Sequence, residues 1–444
     1  MNSRLVSYTL LSFILLLGLH LRLEAVRHTN LENPIMQDSA EYTAYAYNLR
    51  LHGTYSRDPR TITNPIAEPA PDALRAPGYP IFLSLFTSAK SLKIFRNRVV
   101  YMQAALSVLT LLMVYVVSSM IFKPAIALLV TLACTMSPHM INMNLYVLTE
   151  TLFTFLLVTT TWFLIKSKQE SSLILLVIGA CLLGITALVR PTMQFYFLFE
   201  IILLWSFIRT PAKKNAAAVF VLAFFSIVSL WWIRNWFAIG AISDSTLMAN
   251  TLHHGMFPGI MYNERPETFG YPYRFDPQSQ AISGSVFEAL SAIWHGFTNN
   301  TSMMLKWYLS KPLYLFQWNI IQGNDDIFIY KAWSSPYFQD SGIFPLSKYL
   351  MMLSHPAAVW AAFTGILLAF MPLSKKLFTP EQLIAIKTCA LIYLYFIVVH
   401  IVVAPYPRYS IPIRPFTYML ALFAVVTTVL AITHRVQSKA HPRV

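Results

Sequence analysis

Long runs of apolar residues recur along the whole chain and limit what it can fold into. A helix needs about 20 residues to cross the hydrocarbon core of a bilayer. Only 12% of the 444 residues are charged, against about 25% in soluble domains. Ten runs reach spanning length, near 5–23, 99–121, 125–141, 145–165, 172–189, 192–208, 216–233, 349–371, 383–403 and 412–433. The sequence therefore predicts an all-α polytopic integral membrane protein with about 10–12 transmembrane helices.

Basic residues are distributed unevenly among the loops that join these runs. If the N-terminus is cytoplasmic and the runs alternate, the inner connections hold most of the short-loop lysines and arginines. The inner set is Arg4, Lys123, Lys166, Lys168, Arg209, Lys213, Lys214, Lys375, Lys376, Arg435, Lys439 and Arg443. This is the positive-inside pattern. Membrane orientation therefore accounts for most of the net charge of +14, which does not indicate a nucleic-acid partner.

Two long polar segments then lie on the outer face. They cover residues 24–98 and 234–348 and hold 15 of the 19 acidic residues. We predict an N-terminal transmembrane module (1–233) that carries the first outer loop, then the large outer loop (234–348), then a C-terminal module (349–444). The first run precedes a polar loop without a small-residue cleavage site, so we interpret it as a retained span.

The first outer loop contains a short predicted helix, Asp38 to Leu51, which ends before Gly53. Asp38 and Glu41 match an N-terminal capping box. A carboxylate at a helix N-terminus stays ionised, because the helix dipole favours its charge. Asp38 is therefore interpreted in two ways, as a helix cap or as a group that positions or deprotonates an acceptor hydroxyl.

The stretch "RAPGYP" (75–80) follows in the same loop. Pro77 and Gly78 predict a tight turn, and Pro80 suits the first position of a helix too short to span. The turn places Arg75 at headgroup level, where its planar guanidinium suits a phosphate. An ordinary interfacial arginine is the alternative.

These motifs occur in an order that resembles one family. The series comprises an Asp-x-x-x-Tyr helix, "AYNLRLHGTYS", "RAPGYPIFL", "VLTE" ending at Glu150, "LVRP", "WWIRNWFAIG" and a final "RYSIPIRP". It resembles the GT-C superfamily of polytopic glycosyltransferases. Within it, the series is similar to the bacterial members related to protein O-mannosyltransferases and to the aminoarabinose transferase of lipid A.

The resemblance implies a sugar transferase that uses a polyprenyl-phosphate-linked donor on the outer face of a bacterial cytoplasmic membrane. The acceptor would be a lipid, a glycan or a protein. Asp38 and Glu150 would be catalytic, and Arg75 and Arg408 would contact the donor phosphate. The substrate cavity would contain Glu41, Tyr42, Tyr79, Arg190, Arg234, His400 and Tyr409.

Two departures from the family pattern bear on cofactors. Many members have an adjacent Asp-Glu pair in the first loop, whereas Ser39 follows Asp38 here. Some members also place a metal-binding Glu before the basic residue of the Pro-rich turn, where this chain has Leu74. A divalent cation is therefore a possible cofactor that these motifs do not establish.

Other polar residues have structural or functional interpretations. Glu200, within a span, is expected to be buried and hydrogen-bonded to a neighbouring helix. His400, Arg190 and Arg234 lie near the outer ends of spans, as cavity residues or as interfacial anchors. In the large loop, His253, His254, Asp325 and Asp326 are a minor candidate for a metal site. The segment 303–318 is predicted to form an interfacial helix that braces the lipid donor.

Three other functions compete with the transferase. A transporter or lipid flippase would favour internal repeats and ionisable groups near the midplane, whereas here the charges cluster at the outer mouth. An O-antigen ligase or polymerase is also polytopic but lacks the "RAPGYP" arrangement. A non-catalytic scaffold would bind the donor without turnover.

Overall fold

The computed structural model describes residues 3–63, 68–89, 91–207, 213–321, 323 and 326–440. Nearly all regular structure in these residues is helical, which confirms the predicted all-α polytopic fold. The first eleven helices are α1 Ser3–His28, α2 Asp38–His52, α3 Arg60–Thr63, α4 Gly78–Ser84, α5 Leu92–Ser119, α6 Pro124–Met136, α7 Pro138–Asn142, α8 Glu150–Glu170, α9 Leu173–Val189, α10 Tyr196–Phe207 and α11 Lys213–Ile239.

The large polar loop holds four further helices before the chain returns to long apolar ones. The four described in the loop are α12 Thr246–Met256, α13 Ser279–Ser283, α14 Val286–Asn299 and α15 Thr301–Leu315. The helices after the loop are α16 Ile343–Phe370, α17 Pro372–Leu377, α18 Pro380–Val402 and α19 Arg414–Ala440. Short 3₁₀ turns cover Met143–Leu145, Pro191–Met193, Pro258–Ile260, Tyr262–Glu264, Pro266–Thr268, Pro272–Phe275, Pro336–Phe338 and Pro407–Ile413.

Fewer helices than predicted are long and apolar enough to cross a membrane. In the described part of the chain six meet both requirements: Leu5–His28, Leu92–Ser119, Asn215–Ile239, Ile343–Phe370, Pro380–Val402 and Pro407–Arg435. The pair α6 and α7, bent by 56°, makes a seventh if it counts as one span. Two of the other predicted runs fall outside this measure, because α8 carries charges at both ends and α9 has 17 residues.

The helix predicted in the first polar loop is confirmed as α2, with Gly53 in the left-handed conformation (φ 65°) at its C-cap. The predicted capping box is wrong. Gln37 occupies the N-cap position with φ 48°, and among the described residues no side chain caps this end. Asp38 stands one position further on, inside the first turn. Its carboxylate pairs with arginine side chains instead of the helix backbone.

The "RAPGYP" turn leads directly into α4, which begins at Gly78, two residues before the predicted start, and has seven residues. A Cβ atom at residue 78 would lie within 2.7–2.9 Å of Val189 and Leu188 at the end of α9. Glycine is therefore required sterically for α4 to pack against α9. This contact places the turn that carries Arg75 beside the end of α9, which Arg190 follows.

The two polar loops are joined to each other and to the bundle. Strand β1 (Asn30–Leu31) pairs antiparallel with β2 (Ala332–Ser334). The helix predicted over 303–318 is observed as α15, and Lys311 Nζ donates to the carbonyls of Ile401 and Val403 at 2.8 and 3.2 Å. Helix α15 thus lies across the C-terminal end of α18.

The three-part domain division stays a prediction, and one core cluster includes residues from all three parts.

Candidate active site

Six charged side chains from distant parts of the sequence meet at one end of the helical bundle. Each lies at or near a helix end, where the chain enters or leaves the bundle. The six, which we call the ion-pair chain, are Glu41, Arg75, Asp38, Arg408, Glu150 and Arg190. All six were predicted as site residues, and the structure brings them together.

The first half of the ion-pair chain is centred on Arg75. Its Nε donates to Glu41 Oε2 and its Nη2 to Asp38 Oδ1, both at 2.7 Å. Its guanidinium also lies 5.4 Å from the centre of the Tyr42 ring. Asp38 and Glu41 share a face of α2, since they are three residues apart. One arginine therefore binds both acidic residues of the first turn.

The second half is centred on Arg408, in the 3₁₀ turn Pro407–Ile413. Its Nη1 lies 3.2 Å from Asp38 Oδ2, and its Nε donates to Glu150 Oε1 at 2.6 Å. Arg190 Nη1 donates to the same Glu150 oxygen at 3.3 Å. Glu150 Oε2 is buried and has no hydrogen-bond partner among the described residues. Negative and positive groups thus alternate, three of each.

The three carboxylates of the ion-pair chain differ in burial. The side chain of Glu150 is 1% exposed, whereas those of Asp38 and Glu41 are 32% and 33% exposed. The ion-pair chain therefore extends from the packed interior to a partly solvated surface at α2. A ligand that approaches from this surface meets Asp38 and Glu41 first.

The electrostatic environment keeps the surface end charged. Burial by itself raises the pKa of Asp38, but Arg408 and Arg75 outweigh burial and hold that pKa below its usual value. Burial lowers the pKa of Arg75, but its neighbours Tyr42, Asp38 and Glu41 raise it above the usual value. Burial raises the pKa of Tyr42 to about 12, so its hydroxyl stays protonated. Asp38 is therefore a carboxylate and Arg75 a cation at neutral pH.

Tyr79 was predicted in the substrate cavity but lies behind it. It is fully buried, meets the edge of Tyr42 at 5.2 Å, and donates its hydroxyl to Gln103 Oε1 at 2.8 Å. Gln103 in turn donates to the carbonyls of Tyr146 and Asn144 at 2.8 and 3.2 Å. Sequence reasoning missed Gln103, because a single glutamine in an apolar run carries no motif. Tyr79 supports Tyr42 instead of lining the cavity.

Tyr409 contacts the ion-pair chain through Arg190, and His400 contacts the Tyr409 ring. The Arg190 guanidinium stacks on the Tyr409 ring at 4.7 Å. His400 is buried, contacts the other residues of this group through the Tyr409 ring at 5.4 Å, and donates from Nδ1 to the Phe396 carbonyl at 2.7 Å. That bond lies within its own helix, and the role of His400 in the cavity stays a prediction.

Arg234 does not join the ion-pair chain. Its guanidinium donates to the carbonyls of Asp72 and Tyr55 at 2.8 and 3.1 Å and stacks near Tyr55 and Trp231. Tyr55 donates its hydroxyl to the Arg75 and Ala76 carbonyls at 3.0 and 3.1 Å. Arg234 therefore holds the loop segment that carries Arg75, and its place in the substrate cavity stays a prediction.

The minor metal hypothesis for the large loop fails for its described residues. His253 Nε2 pairs with Asp276 at 2.7 Å, and His254 Nε2 lies 2.8 Å from the Gly270 carbonyl. Asp326 pairs with Lys348, while Asp325 lies outside the described residues. Among all described residues no group of three His, Cys, Asp or Glu side chains can hold a metal ion. The two histidines instead fasten the loop internally.

A groove of about 530 Å³ lies along α15, away from the ion-pair chain. Its lining residues are Pro258, Asn300, Ser302, Met303, Lys306, Trp307 and Ser310. None of them belongs to the ion-pair chain. The groove has room for a ligand but brings together no carboxylates, so we place the candidate chemistry at the ion-pair chain, where ion pairs occupy the space between the side chains.

Comparisons with known proteins agree with this architecture. Residues 75–232 match the family model of dolichyl-phosphate-mannose-protein mannosyltransferases. No protein of curated function matches the chain at a significant level. The matched segment contains Arg75, Glu150 and Arg190 of the ion-pair chain.

Solved structures of the oligosaccharyltransferase of Archaeoglobus fulgidus share the fold. The archaeal AglB complex with an inhibitory peptide and a dolichol-phosphate aligns at 13% identity and a TM-score of 0.50, covering 99% of this chain and 52% of that one. The form tethered to an acceptor peptide aligns at 14% identity and a TM-score of 0.53, covering 98% and 51%. The chain thus spans about half the length of these proteins. The family model covers about a third of this chain, residues 75–232, and the likeness to the solved structures shows a shared fold.

Proposed function

We propose that the chain is a membrane glycosyltransferase that transfers a sugar from a polyprenyl-phosphate-linked donor to an acceptor. The observation that carries this proposal is the meeting of Asp38 with Arg75 and Arg408 at a partly exposed end of the bundle. A carboxylate beside two guanidiniums supplies both functions that the reaction needs: a group for the acceptor hydroxyl and positive charge for a departing phosphate.

The chemistry follows from charge. In the transfer, the bond between the sugar carbon and the phosphate oxygen breaks, and a new bond forms from that carbon to the acceptor oxygen. The electron pair of the broken bond stays on the phosphate, where Arg75 and Arg408 stabilise the growing negative charge. The acceptor loses its proton to Asp38. Glu150, held by Arg190 and Arg408, positions the second guanidinium.

We propose that the ion-pair chain acts without a bound divalent metal ion. Each of the three carboxylates has an oxygen paired with a guanidinium. The described residues also contain no group of three metal-ligating side chains. In this proposal the arginines supply the positive charge at the phosphate.

We place the active site on the outer face of a bacterial cytoplasmic membrane. The positive-inside distribution of lysine and arginine supports this orientation, because it puts the loop that holds Asp38 and Arg75 outside. A lipid-linked donor suits that location, since it needs no nucleotide triphosphate. The proposal covers three acceptor classes, lipid, glycan and protein.

Binding of a donor panel tests the proposal. We expect one polyprenyl-monophosphate sugar to raise the unfolding temperature of the protein in nanodiscs by several degrees, because a ligand of the folded state stabilises it. Arg75→Ala should lose the shift. Arg60→Ala is the matched control. Arg60 lies in the same loop, its side chain is largely exposed, and it pairs with Asp58 at the surface. The absence of a shift with every donor would overturn the proposal.

A further inference from the structure

Both oxygens of the Asp38 carboxylate are bound by the two guanidiniums that a donor phosphate would use. Oδ1 takes Arg75 Nη2 at 2.7 Å and Oδ2 takes Arg408 Nη1 at 3.2 Å. A phosphodiester also carries one negative charge and presents two free oxygens. Guanidinium binds carboxylate and phosphate through the same parallel N–H groups. The carboxylate and the phosphate are therefore alternative ligands for one pair of cations.

The other contacts of the two arginines limit their freedom to serve both ligands. Arg75 Nε is used by Glu41, and Arg408 Nε is used by Glu150. Arg75 Nη2 and Arg408 Nη1 are the nitrogens that the two arginines present to Asp38. A phosphate that enters this space from the exposed side meets Asp38 already bound there.

We propose that the donor phosphate takes the place of the Asp38 carboxylate between Arg75 and Arg408, and that the donor therefore binds first and releases Asp38 for the acceptor. This inference rests on the proposed function. Before the donor arrives, Asp38 is held in ion pairs that make it a weak base. After the exchange it faces fewer positive charges and takes up the acceptor proton more readily.

Two features of the structure allow the exchange. Asp38 is about one-third exposed and lies in the first turn of α2, so its released carboxylate stays hydrated. Glu150 is almost fully buried and cannot be left unpaired without a large cost. Arg190 also binds Glu150, at 3.3 Å, so Glu150 stays paired while Arg408 Nη1 exchanges Asp38 for the phosphate. Glu150 thus stays paired with arginine while the phosphate replaces Asp38 at the exposed end of the ion-pair chain.

Removal of the competing carboxylate should tighten phosphate binding, and this distinguishes exchange from a purely structural role for Asp38. The probe is farnesyl phosphate, titrated into the full-length protein in nanodiscs and followed by the shift in unfolding temperature. We expect Asp38→Asn and Asp38→Ala to bind it about tenfold more tightly than the wild type. Asp38→Glu keeps the charge and should show no such gain.

The controls separate this inference from the proposed function. Asp58→Asn removes the same charge from the same loop but outside the ion-pair chain, and it should leave the affinity unchanged. Equal or weaker binding by both neutral variants, with binding by the wild type intact, would overturn the exchange and leave the donor class standing. Absence of binding by the wild type and by every variant would overturn both. Thermal unfolding without ligand verifies that each variant is folded.

Discussion

Helix α8 carries a buried charge at each end, and the two ends differ in kind. Glu150, its first residue, belongs to the ion-pair chain, and Lys168, near its last turn, pairs with Glu200 of α10. The two positions lie about 27 Å apart along the helix at 1.5 Å per residue. At each end of α8 an oppositely charged partner compensates for the hydration that the buried ion has lost.

The pair at the far end is complete by itself. Lys168 and Glu200 are fully buried, one cation faces one anion, and the Tyr196 hydroxyl donates to Glu200 Oε2 at 3.3 Å. At the Glu150 end three cations and three anions alternate, and the last members reach solvent. A closed pair has no way to exchange a partner, whereas an open series does. Buried charge alone therefore does not distinguish the two ends; the number of charged partners and their exposure do.

The strongest test of this contrast is the loss of the Asp38 carboxylate. We expect Asp38→Asn to lower the transfer rate by about 10³-fold or more, because the acceptor proton loses its base. The measurement is the release of polyprenyl phosphate from the donor identified by the binding panel, normalised to folded protein. Retention of more than a tenth of the activity would contradict a catalytic role for Asp38.

The far end should respond in stability and not in activity. Lys168→Met leaves Glu200 buried without a counter-ion and should lower the free energy of unfolding by about 3–5 kcal/mol. The double variant Lys168→Met/Glu200→Met should recover most of this loss, since it removes both charges. Thermal unfolding in detergent measures the effect. A large loss of activity per folded molecule would erase the distinction between the two ends.

A substitution at Gly78 tests whether the position of Arg75 in the ion-pair chain depends on the packing of α4 against α9. Gly78→Ala brings a Cβ within 3 Å of the backbone at Leu188 and Val189, so α4 must move and Arg75 with it. We expect about a tenfold fall in kcat/KM, since small displacements of positioning groups are costly. Gly284→Ala is the control, because a Cβ there meets no atom within 4 Å. An unchanged Gly78→Ala variant would show that the α4–α9 contact does not position Arg75.

The smallest expected effect concerns metal ions. Because guanidiniums pair with all three carboxylates of the ion-pair chain, we expect a chelator to leave transfer unchanged. The assay compares initial rates with and without EDTA, and with magnesium or manganese restored. A chelator-sensitive rate that magnesium restores would mean that one carboxylate leaves its arginine for a metal ion.

Part of the ion-pair chain was predictable from local sequence and part was not. The three-residue spacing of Asp38 and Glu41 places them on one helix face, and "RAPGYP" predicts a rigid turn at Arg75. The capping box was wrong because a capping motif describes only backbone contacts, whereas the arginines that took the carboxylate come from residues 37 and 370 positions away. Arg190 and Arg234 resemble each other in sequence, and only packing separates a site residue from a loop brace.

The amino-acid sequence by itself determined that this protein is a multi-pass helical membrane protein with its acidic residues gathered in two loops, because apolar length and charge are properties of each segment alone. The tertiary structure decided which charges meet. Close packing of α4 on α9, which only a glycine permits, and the turn before α19 bring three arginines to three carboxylates. Ion pairing acts over a few ångströms, so it depends on where helices end in space, which no single segment specifies.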